Sequence, residues 1–299
     1  MMSQICVCVP TYKRPSLLDR CIDSLLHQQT DGFSYSILVV DNDLNQSGLE
    51  IVRNKQHQSP IELRYCFESV KNISLARNRA VNSSQSDIIA FIDDDEMADS
   101  VWLAELYRLY AEMGVDGVLG PVLPYFEGTP PRWLIRSGLC LRTSFPTRTV
   151  LKNPKYMRTG NVLLSRRLFA NEEPPFDPRF GLLGGEDVDF FSRMHNKGAV
   201  FVWCQEGVVY EYVPVDRQKR FFYVRRALVR GVNTARRESF LSMSTLKSFG
   251  ALMAYTVILP IFLVGSHPLF MKFLIKYCDH LSKLLAYLGV LLVRIKPFH

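Results

Sequence analysis

The sequence predicts an α/β fold in which a mostly parallel sheet is flanked by helices. From Ile5 to about residue 124, short apolar runs alternate with amphipathic stretches, which is typical of repeated β-α units. Three of the runs end in polar residues, in VCVPTYKRP, ILVVDND and AFIDDDE. Open parallel sheets bind ligands at the carboxyl ends of their strands, so these three ends are expected to converge on one crevice.

The predicted elements follow from these patterns in chain order. Strands are predicted at residues 5–9, 36–40, 61–66, 87–92 and 117–123. Helices are predicted between them, the first beginning after Pro15 and Ser16 and the second within ISLARNRAV. The third, ADSVWLAELYRLYAEM, has Asp99 or Ser100 as its expected N-cap.

The second half of the chain carries a further acidic motif. Residues 125–157 are rich in Pro, Arg and aromatic residues and predict a loop or a substrate lid. Gly184 and Gly185 then allow a tight turn, which places Glu186, Asp187 and Asp189 in the first turn of a helix. Acids there suit the helix dipole, but a carboxylate presented over a crevice can also act as a general base. Asp187 is the candidate base.

Positive charge is concentrated near residue 225. The chain has a net charge of +7, and residues 217–237 contain eight Lys and Arg and no acid. A nucleic acid, an anionic membrane or a phosphorylated ligand could pair with such a run. No nucleic-acid recognition motif accompanies the charge, so we expect no nucleic-acid partner. Most of the run is interpreted as a basic segment next to the membrane that is attracted to anionic lipid. One or two of Arg225, Arg226 and Arg230 are expected to contact phosphate.

The end of the sequence is apolar. Residues 248–271 contain no Asp, Glu, Lys or Arg, and about 20 such residues span a bilayer. A shorter apolar stretch, 284–293, is expected to be interfacial or to form a hairpin with the first. A buried helical core is the alternative. Seven scattered cysteines, and an N-terminus without the features of a signal peptide, favour a reducing compartment.

Four adjacent acids, Asp93 to Glu96, follow the fourth predicted strand. Like charges this close need a compensating cation, and Mg²⁺ or Mn²⁺ held by carboxylates and ligand phosphates is the simplest one. A solvated turn that caps the next helix is the bland alternative. Aspartyl-phosphate chemistry in a metal-dependent phosphohydrolase is another, although such enzymes normally place the acidic strand near the start of the fold.

Four motifs in order resemble one enzyme family. CVCVPTYKRPSLLDRCIDSLLHQQ, ILVVDND, NISLARNRAVNSSQSDIIAFIDDDE and FGLLGGEDVDFFSRMHNKG have the order and spacing of inverting nucleotide-sugar glycosyltransferases of family 2. The chain is most similar to non-processive enzymes of bacterial exopolysaccharide assembly, such as succinoglycan-type glucosyltransferases. The resemblance covers about residues 4–237 and implies a GT-A fold, a Rossmann-like α/β arrangement.

The resemblance also implies a role for each motif residue. Asp187 would be the catalytic base, Glu186 would lie toward the acceptor, and Asp95 would hold Mg²⁺ or Mn²⁺ on the diphosphate. Asp93, the other acid of the DxD motif, would lie near the ribose, and Asp41 would contact the nucleobase or ribose. The remaining implied nucleotide-binding residues are Pro10, Thr11, Tyr12, Arg14 and Arg77.

The sequence departs from the family pattern at two points. Many relatives complete the metal site with a His, whereas EGVVYEYVP offers Glu211 and Tyr212. The QxxRW signature of processive synthases is absent from the sequence, so a single sugar is expected to be added at each encounter.

The resemblance therefore implies a membrane-attached transferase. It would move one sugar from a UDP-sugar to a lipid-linked saccharide or another glycan acceptor, at the cytoplasmic face of a bacterial inner membrane. The nucleotide-binding half would be residues 1–124, the acceptor half 125–240 and the membrane-associated tail 241–299. A phosphohydrolase and a non-catalytic nucleotide-sugar-binding membrane module are the alternatives.

Overall fold

A computed structural model describes residues 3–182 and 184–293, apart from the side chain of Arg237. The strands are β1 Ser3–Thr11, β2 Phe33–Asp41, β3 Leu63–Phe67, β4 Ile88–Ile92, β5 Glu96–Ala98, β6 Gly117–Leu119, β7 Val122–Tyr125, β8 Asn161–Ser165, β9 Phe201–Trp203 and β10 Val209–Tyr212. The α-helices are α1 Pro15–Leu26, α2 Leu49–Gln56, α3 Ile73–Ser83, α4 Trp102–Met113, α5 Arg132–Ser137, α6 Glu186–Asn196, α7 Arg220–Arg237, α8 Met243–Gly265 and α9 His267–Tyr287.

The main sheet has seven strands in the order β3-β2-β1-β4-β8-β6-β9. Its first four strands are parallel, and β1 lies between β2 and β4 with Thr11 opposite Asp41. β8 runs antiparallel to both β4 and β6. This arrangement confirms the predicted mixed, mostly parallel sheet flanked by helices, and it places the carboxyl ends of β1, β2 and β4 side by side.

The sheet has an apolar core on each face, because successive side chains of a strand point to opposite sides. Val7 packs with Leu18 of α1 and Leu106 of α4 on one face. Cys6 and Cys8 pack on the other face, with the residues of α3 and α6. Both cysteines are fully buried and act as the small apolar residues that the sequence predicts.

Two predictions about residues 99–123 are wrong. The single strand expected at 117–123 is two strands in different sheets, since β7 belongs with β5 and β10. The break falls at Gly120, where a Cβ would meet the Gly207 carbonyl oxygen at 2.0 Å, and at Pro121, which has no N–H for a ladder. Helix α4 is not capped by Asp99 or Ser100: Val101 is the N-cap residue, and the Leu103 N–H donates to Gln28 Oε1 at 3.0 Å.

The described residues form two compact units. The first comprises residues up to 124 and 142–212, with the main sheet, and the second comprises 125–141 and 213 onward, with α5 and α7 to α9. The apolar stretch 248–271, expected to be continuous, is split at Ser266 between α8 and α9, which pack together as a helical hairpin. The second stretch, 284–293, begins inside α9 and lies wholly within the described residues.

Helix α8 is long and apolar enough to cross a membrane, and 6% of its apolar window is buried. The alternative of a buried core helix is therefore wrong for α8. The division into a transferase domain, 1–240, and a tail, 241–299, stays a prediction.

Candidate active site

The acids that follow β4 lie against the loop that follows β1. Thr11 Oγ1 donates a hydrogen bond to Asp94 Oδ2 at 2.8 Å. Arg14 Nη1 donates to both Asp94 Oδ1 and Asp95 Oδ2, each at 3.0 Å. One guanidinium therefore neutralises part of the charge of two neighbouring carboxylates. We call this set the Arg14 cluster: Thr11, Arg14, Asp94 and Asp95.

Burial changes the titration of the acids in the Arg14 cluster. Desolvation, with Asp93 and Asp94 nearby, raises the pKa of Asp95 to about 7, although Arg14 opposes this shift. Burial likewise raises the pKa of Asp94, against Arg14 and Thr11, which lower it. Burial therefore favours the protonated form of both carboxyl groups.

A second arginine links the acids after β4 to helix α6. Arg77 Nη1 is ion-paired with Glu186 Oε1, and Nη2 donates to Asp93 Oδ1 at 3.3 Å. The Arg77 side chain is only 6% exposed. We call these three residues the Arg77 cluster. The Arg77 cluster joins two sequence motifs, because Arg77 and Glu186 are 109 residues apart in the chain.

Asp187 stands in the first turn of α6, directly after the Arg77 cluster. Gly184 and Gly185 adopt positive φ angles of 79° and 104°, as the predicted tight turn requires. Asp187 Oδ1 accepts a hydrogen bond from the Val188 N–H at 2.7 Å, and Oδ2 lies 3.4 Å from Arg158 Nη1. The first turn of α6 therefore holds Oδ1 of Asp187, and Oδ2 faces the half-exposed guanidinium of Arg158.

Three residues near this site were missed in the sequence. Glu96 is fully buried, and desolvation raises its pKa well above the usual range. Its Oε2 accepts from the Asp93 N–H at 3.0 Å, and Arg142 Nη1 lies 4.0 Å from its Oε1. Gly160 leaves space for these acids, because a Cβ there would lie 2.9 Å from oxygens of both Asp93 and Glu96. Glu96 ends the run DDDE and could have been singled out, whereas no local signal marks Arg142 or Gly160.

The other predicted nucleotide-binding residues lie at the ends of β1 and β2. Pro10 is buried in β1. The Tyr12 ring has the Lys71 ammonium 4.6 Å from its centre. Asp41 is fully buried and accepts hydrogen bonds from the Gly48 N–H at 2.7 Å and the Tyr65 hydroxyl at 3.1 Å. Their roles toward a nucleotide stay predictions.

The acids around Asp95 are of the chemical type that binds a hard divalent cation, but their oxygens do not converge: among the described residues, the possible ligands within 4.8 Å of one another are Glu105, Cys204 and Glu206. Asp93, Asp95 and Glu211 offer carboxylate oxygens, which Mg²⁺ and Mn²⁺ prefer. Pairing of β10 with β5 places Glu211 opposite Glu96, and the Glu211 carboxylate is ion-paired with Arg142. Among the described residues, the buried Glu96 Oε1, Glu186 Oε2 and Arg77 Nε have no hydrogen-bond partner.

Comparison with known proteins agrees with the geometry. The family model described as glycosyl transferase family 2 matches residues 6–171. The chain is 32% identical over 221 residues to the succinoglycan biosynthesis protein ExoM of Rhizobium meliloti, a match that covers 73% of this chain and 70% of the relative. It is 22% identical over 245 residues to the chondroitin synthase of Pasteurella multocida, covering 71% of this chain and 25% of that enzyme.

A solved structure has the same fold. The structure of residues 1–349 of S. aureus TarS in complex with UDP-GlcNAc superposes with a TM-score of 0.57 at 14% identity, covering 96% of this chain and 92% of that one. The GT-A fold and the resemblance predicted from the motifs are thereby confirmed. The match to the family model over more than half of the chain, with the identity to a relative of similar length, establishes that this protein belongs to glycosyl transferase family 2 and is a glycosyltransferase.

Proposed function

We propose that this enzyme transfers a single sugar, with inversion, from a UDP-sugar to a lipid-linked saccharide or another glycan acceptor in bacterial surface polysaccharide synthesis. Three observations support the choice of donor and pathway: the fold, the similarity to a succinoglycan biosynthesis protein, and the UDP-GlcNAc complex of a structural neighbour. The missing QxxRW signature supports one addition at each encounter. Because the chain belongs to glycosyl transferase family 2, the two alternatives considered above, a phosphohydrolase and a non-catalytic binding module, are excluded.

The donor would bind across the ends of β1, β2 and β4. Asp95, with Asp93 and Glu211, would hold Mg²⁺ or Mn²⁺ on the diphosphate, where the ion supplies charge stabilisation for the departing nucleotide. Arg14 can exchange its carboxylate partners for phosphate oxygens, which match its geometry. Asp93 would also face the ribose. Pro10, Thr11, Tyr12 and Asp41 would line the nucleoside pocket.

Asp187 would take the proton of the acceptor hydroxyl. The acceptor oxygen then bonds to the anomeric carbon while the bond from that carbon to the diphosphate oxygen breaks, and its electron pair leaves with UDP. A single displacement inverts the anomeric centre, so an α-linked donor gives a β-linked product. The Asp187 Oδ1 bond to the Val188 N–H orients the carboxylate for this step.

Besides its predicted contact with the nucleotide, Arg77 would contribute to this step through the position of α6. It is buried between Glu186 and Asp93, so we assign it to fixing the start of α6 relative to the donor acids. The Glu186 carboxylate is ion-paired with Arg77. Glu186 would therefore affect acceptor binding indirectly, by helping to fix the position of α6. The contact of Arg77 with both motifs is the single observation that most supports one joint site.

We further propose that the enzyme works at the cytoplasmic face of a bacterial inner membrane. The exposed apolar helix α8 and the eight Lys and Arg of residues 217–237 support membrane association. The similarity to an exopolysaccharide biosynthesis protein supports a lipid-linked acceptor at that surface.

Calorimetric titration tests the donor site. UDP, GDP and CDP are titrated into detergent-purified protein, each with Mn²⁺ and with EDTA. We expect UDP to bind with Mn²⁺ and not with EDTA. Asp95→Ala should weaken the binding of UDP in the presence of Mn²⁺. Equal affinity for UDP with Mn²⁺ and with EDTA would contradict the metal assignment.

Transfer kinetics test the base. Asp187→Asn should lower the rate of sugar transfer by about 10²- to 10⁴-fold, because general base catalysis is lost, while UDP affinity is kept. Asp189→Asn is the matched control, since Asp189 lies in the same helical turn but pairs with Arg193. Wild-type transfer by Asp187→Asn would overturn the base assignment.

A further inference from the structure

Helix α8 exposes apolar side chains along its whole length. Phe249, Met253, Val257, Ile261 and Val264 recur every three or four residues and are all exposed. No Asp, Glu, Lys or Arg occurs between Lys247 and Lys272. A water-soluble protein rarely leaves so large an apolar surface uncovered, so this face requires a partner.

The opposite face of α8 packs against α9. The rings of Phe262 and Phe273 are stacked at 5.0 Å, and the Tyr255 ring lies 6.0 Å from the ring of His280. His280 Nδ1 also lies 3.1 Å from Ser248 Oγ. Tyr255 is near the middle of the 23-residue α8, so His280 marks the level of that midpoint on α9.

Charged groups lie at this same level. Asp279, next to His280, accepts a hydrogen bond from Arg230 Nε of α7 at 2.7 Å. Helix α7 approaches α9 closely here, because a Cβ on Gly231 would lie 2.2 Å from the Asp279 carbonyl oxygen. The ion pair is therefore part of a tight contact between α7 and α9, and it cannot be moved along α9 without separating the helices.

We propose that α8 lies in the plane of the interface of an anionic bilayer, with its exposed face among the acyl chains, and does not cross the membrane. The inference rests on the membrane association proposed above and names its geometry. The exposed Lys247, Lys272 and Lys276 supply the positive charge that anionic headgroups attract, and their aliphatic stems can extend along the apolar surface.

A crossing orientation conflicts with the packing of α7 to α9. With 23 residues, α8 is about 35 Å long, enough to cross a hydrocarbon core of about 30 Å. Because α9 packs along α8, a crossing α8 would bring Asp279, its partner Arg230 and the exposed Lys276 to mid-membrane depth. Charged groups at that depth are costly and rare. An in-plane α8 leaves all three outside the hydrocarbon.

Vesicle flotation tests the apolar face. The full chain is freed of detergent and floated with phosphatidylcholine vesicles, with and without 30 mol% phosphatidylglycerol, an illustrative and roughly physiological anionic content. We expect flotation that increases with the anionic lipid, and at least a fivefold loss of bound protein for Val257→Asp. Val215→Asp is the matched control, since Val215 is 67% exposed and Val257 is 69% exposed. Equal flotation of the two variants would overturn the proposal, as would a dimer, measured by light scattering, that Val257→Asp dissociates without any flotation.

Cysteine labelling tests the orientation. Ser239→Cys and Ser266→Cys place a thiol before and after α8, and the wild-type chain measures the background from its seven cysteines. A membrane-impermeant maleimide is applied to spheroplasts and to inverted membrane vesicles. We expect both positions to be labelled above background from the same side. Labelling from opposite sides would show that α8 crosses the membrane and would overturn the proposal.

These outcomes separate the two levels of inference. Failure to float contradicts membrane association itself. Flotation with opposite-side labelling contradicts only the in-plane geometry. Metal-dependent UDP binding, measured on the same preparation, reports the donor site and does not depend on α8.

Discussion

The Arg14 and Arg77 clusters solve the same electrostatic problem in different ways. Each places one guanidinium between two carboxylates, both of which follow β4 in the Arg14 cluster and one of which, Asp93, follows β4 in the Arg77 cluster. The Arg14 side chain is 31% exposed, and its bonds to Asp94 and Asp95 are single contacts from one nitrogen. The Arg77 side chain is 6% exposed and uses two nitrogens for Glu186 and Asp93.

The difference indicates which cluster can exchange partners. Water and ligands reach Arg14, so a metal ion and a diphosphate can replace its contacts at modest cost. Arg77 is enclosed, and removing either of its carboxylates would leave a buried charge without compensation. We therefore expect the Arg14 cluster to respond to ligand and pH, and the Arg77 cluster to determine stability and the position of α6.

The largest expected effect is on stability. Arg77→Met should lower the free energy of unfolding by about 3–5 kcal/mol, because Glu186 stays buried without its partner. Urea unfolding of purified protein measures this. Arg108→Met is the control: its ion pair with Glu105 is exposed, and it should cost less than about 1 kcal/mol. A similar cost for the two variants would contradict the distinction, and Arg77→Met/Glu186→Met should recover most of the loss.

The second prediction concerns pH. Burial raises the pKa of Asp95 to about 7, above its value in an unfolded chain, so the folded state binds this proton more tightly. Its contribution to stability is complete below about pH 4 and is lost as pH rises through about 7. Without metal, Asp95→Asn should remove up to about 4 kcal/mol of this pH dependence. The exposed Asp87→Asn should keep the wild-type profile in urea unfolding between pH 4 and 8, and an unchanged profile for Asp95→Asn would contradict the shift.

The third prediction distinguishes Arg14 from Arg77 by how protonation of Asp95 changes the cost of removing each arginine. Arg14→Met should cost about 1–2 kcal/mol at pH 8, where Arg14 bonds an ionised Asp95 and is partly screened by solvent. At pH 5.5 the cost should be smaller, because Asp95 is then largely protonated. The cost of Arg77→Met should change less between these two pH values. Urea unfolding of both variants in EDTA measures the difference.

Local patterns in the sequence were enough to predict the parallel strands β1 to β4 and the acids, but not β8 and β9. The alternation in ICVCV and the run into DDDE depend on neighbouring residues, so strands β1 and β4 and the position of the acids could be predicted. Gly120 and Pro121 also mark the break between β6 and β7 locally, although the apolar residues around them predict one continuous strand.

The partners of the acids depend on distant parts of the chain. Arg77 meets Glu186 across 109 residues, and Arg14 meets Asp94 across 80. At the N-terminus of α4, the Leu103 N–H donates a hydrogen bond to the side chain of Gln28, which lies 75 residues earlier in the chain. Only the packing of the sheet and helices decides such pairs. The motif alone therefore does not reveal that Arg77 pairs with the buried Glu186 and the partly exposed Asp93.

The smallest expected effect tests whether the space that Gly160 leaves beside Asp93 and Glu96 is needed. Gly160→Ala would place a Cβ 2.9 Å from oxygens of Asp93, of the Arg77 cluster, and of Glu96, so one carboxylate must shift. We expect a cost of about 1 kcal/mol in stability, and a similar loss of UDP binding with Mn²⁺, about fivefold in affinity. Gly250→Ala is the control, because a Cβ there meets no atom within 4 Å among the described residues, and alanine favours a helix. If Gly160→Ala lowers stability but leaves UDP affinity unchanged, Asp93 can move without disturbing the donor site, and its link to Arg77 serves the fold alone.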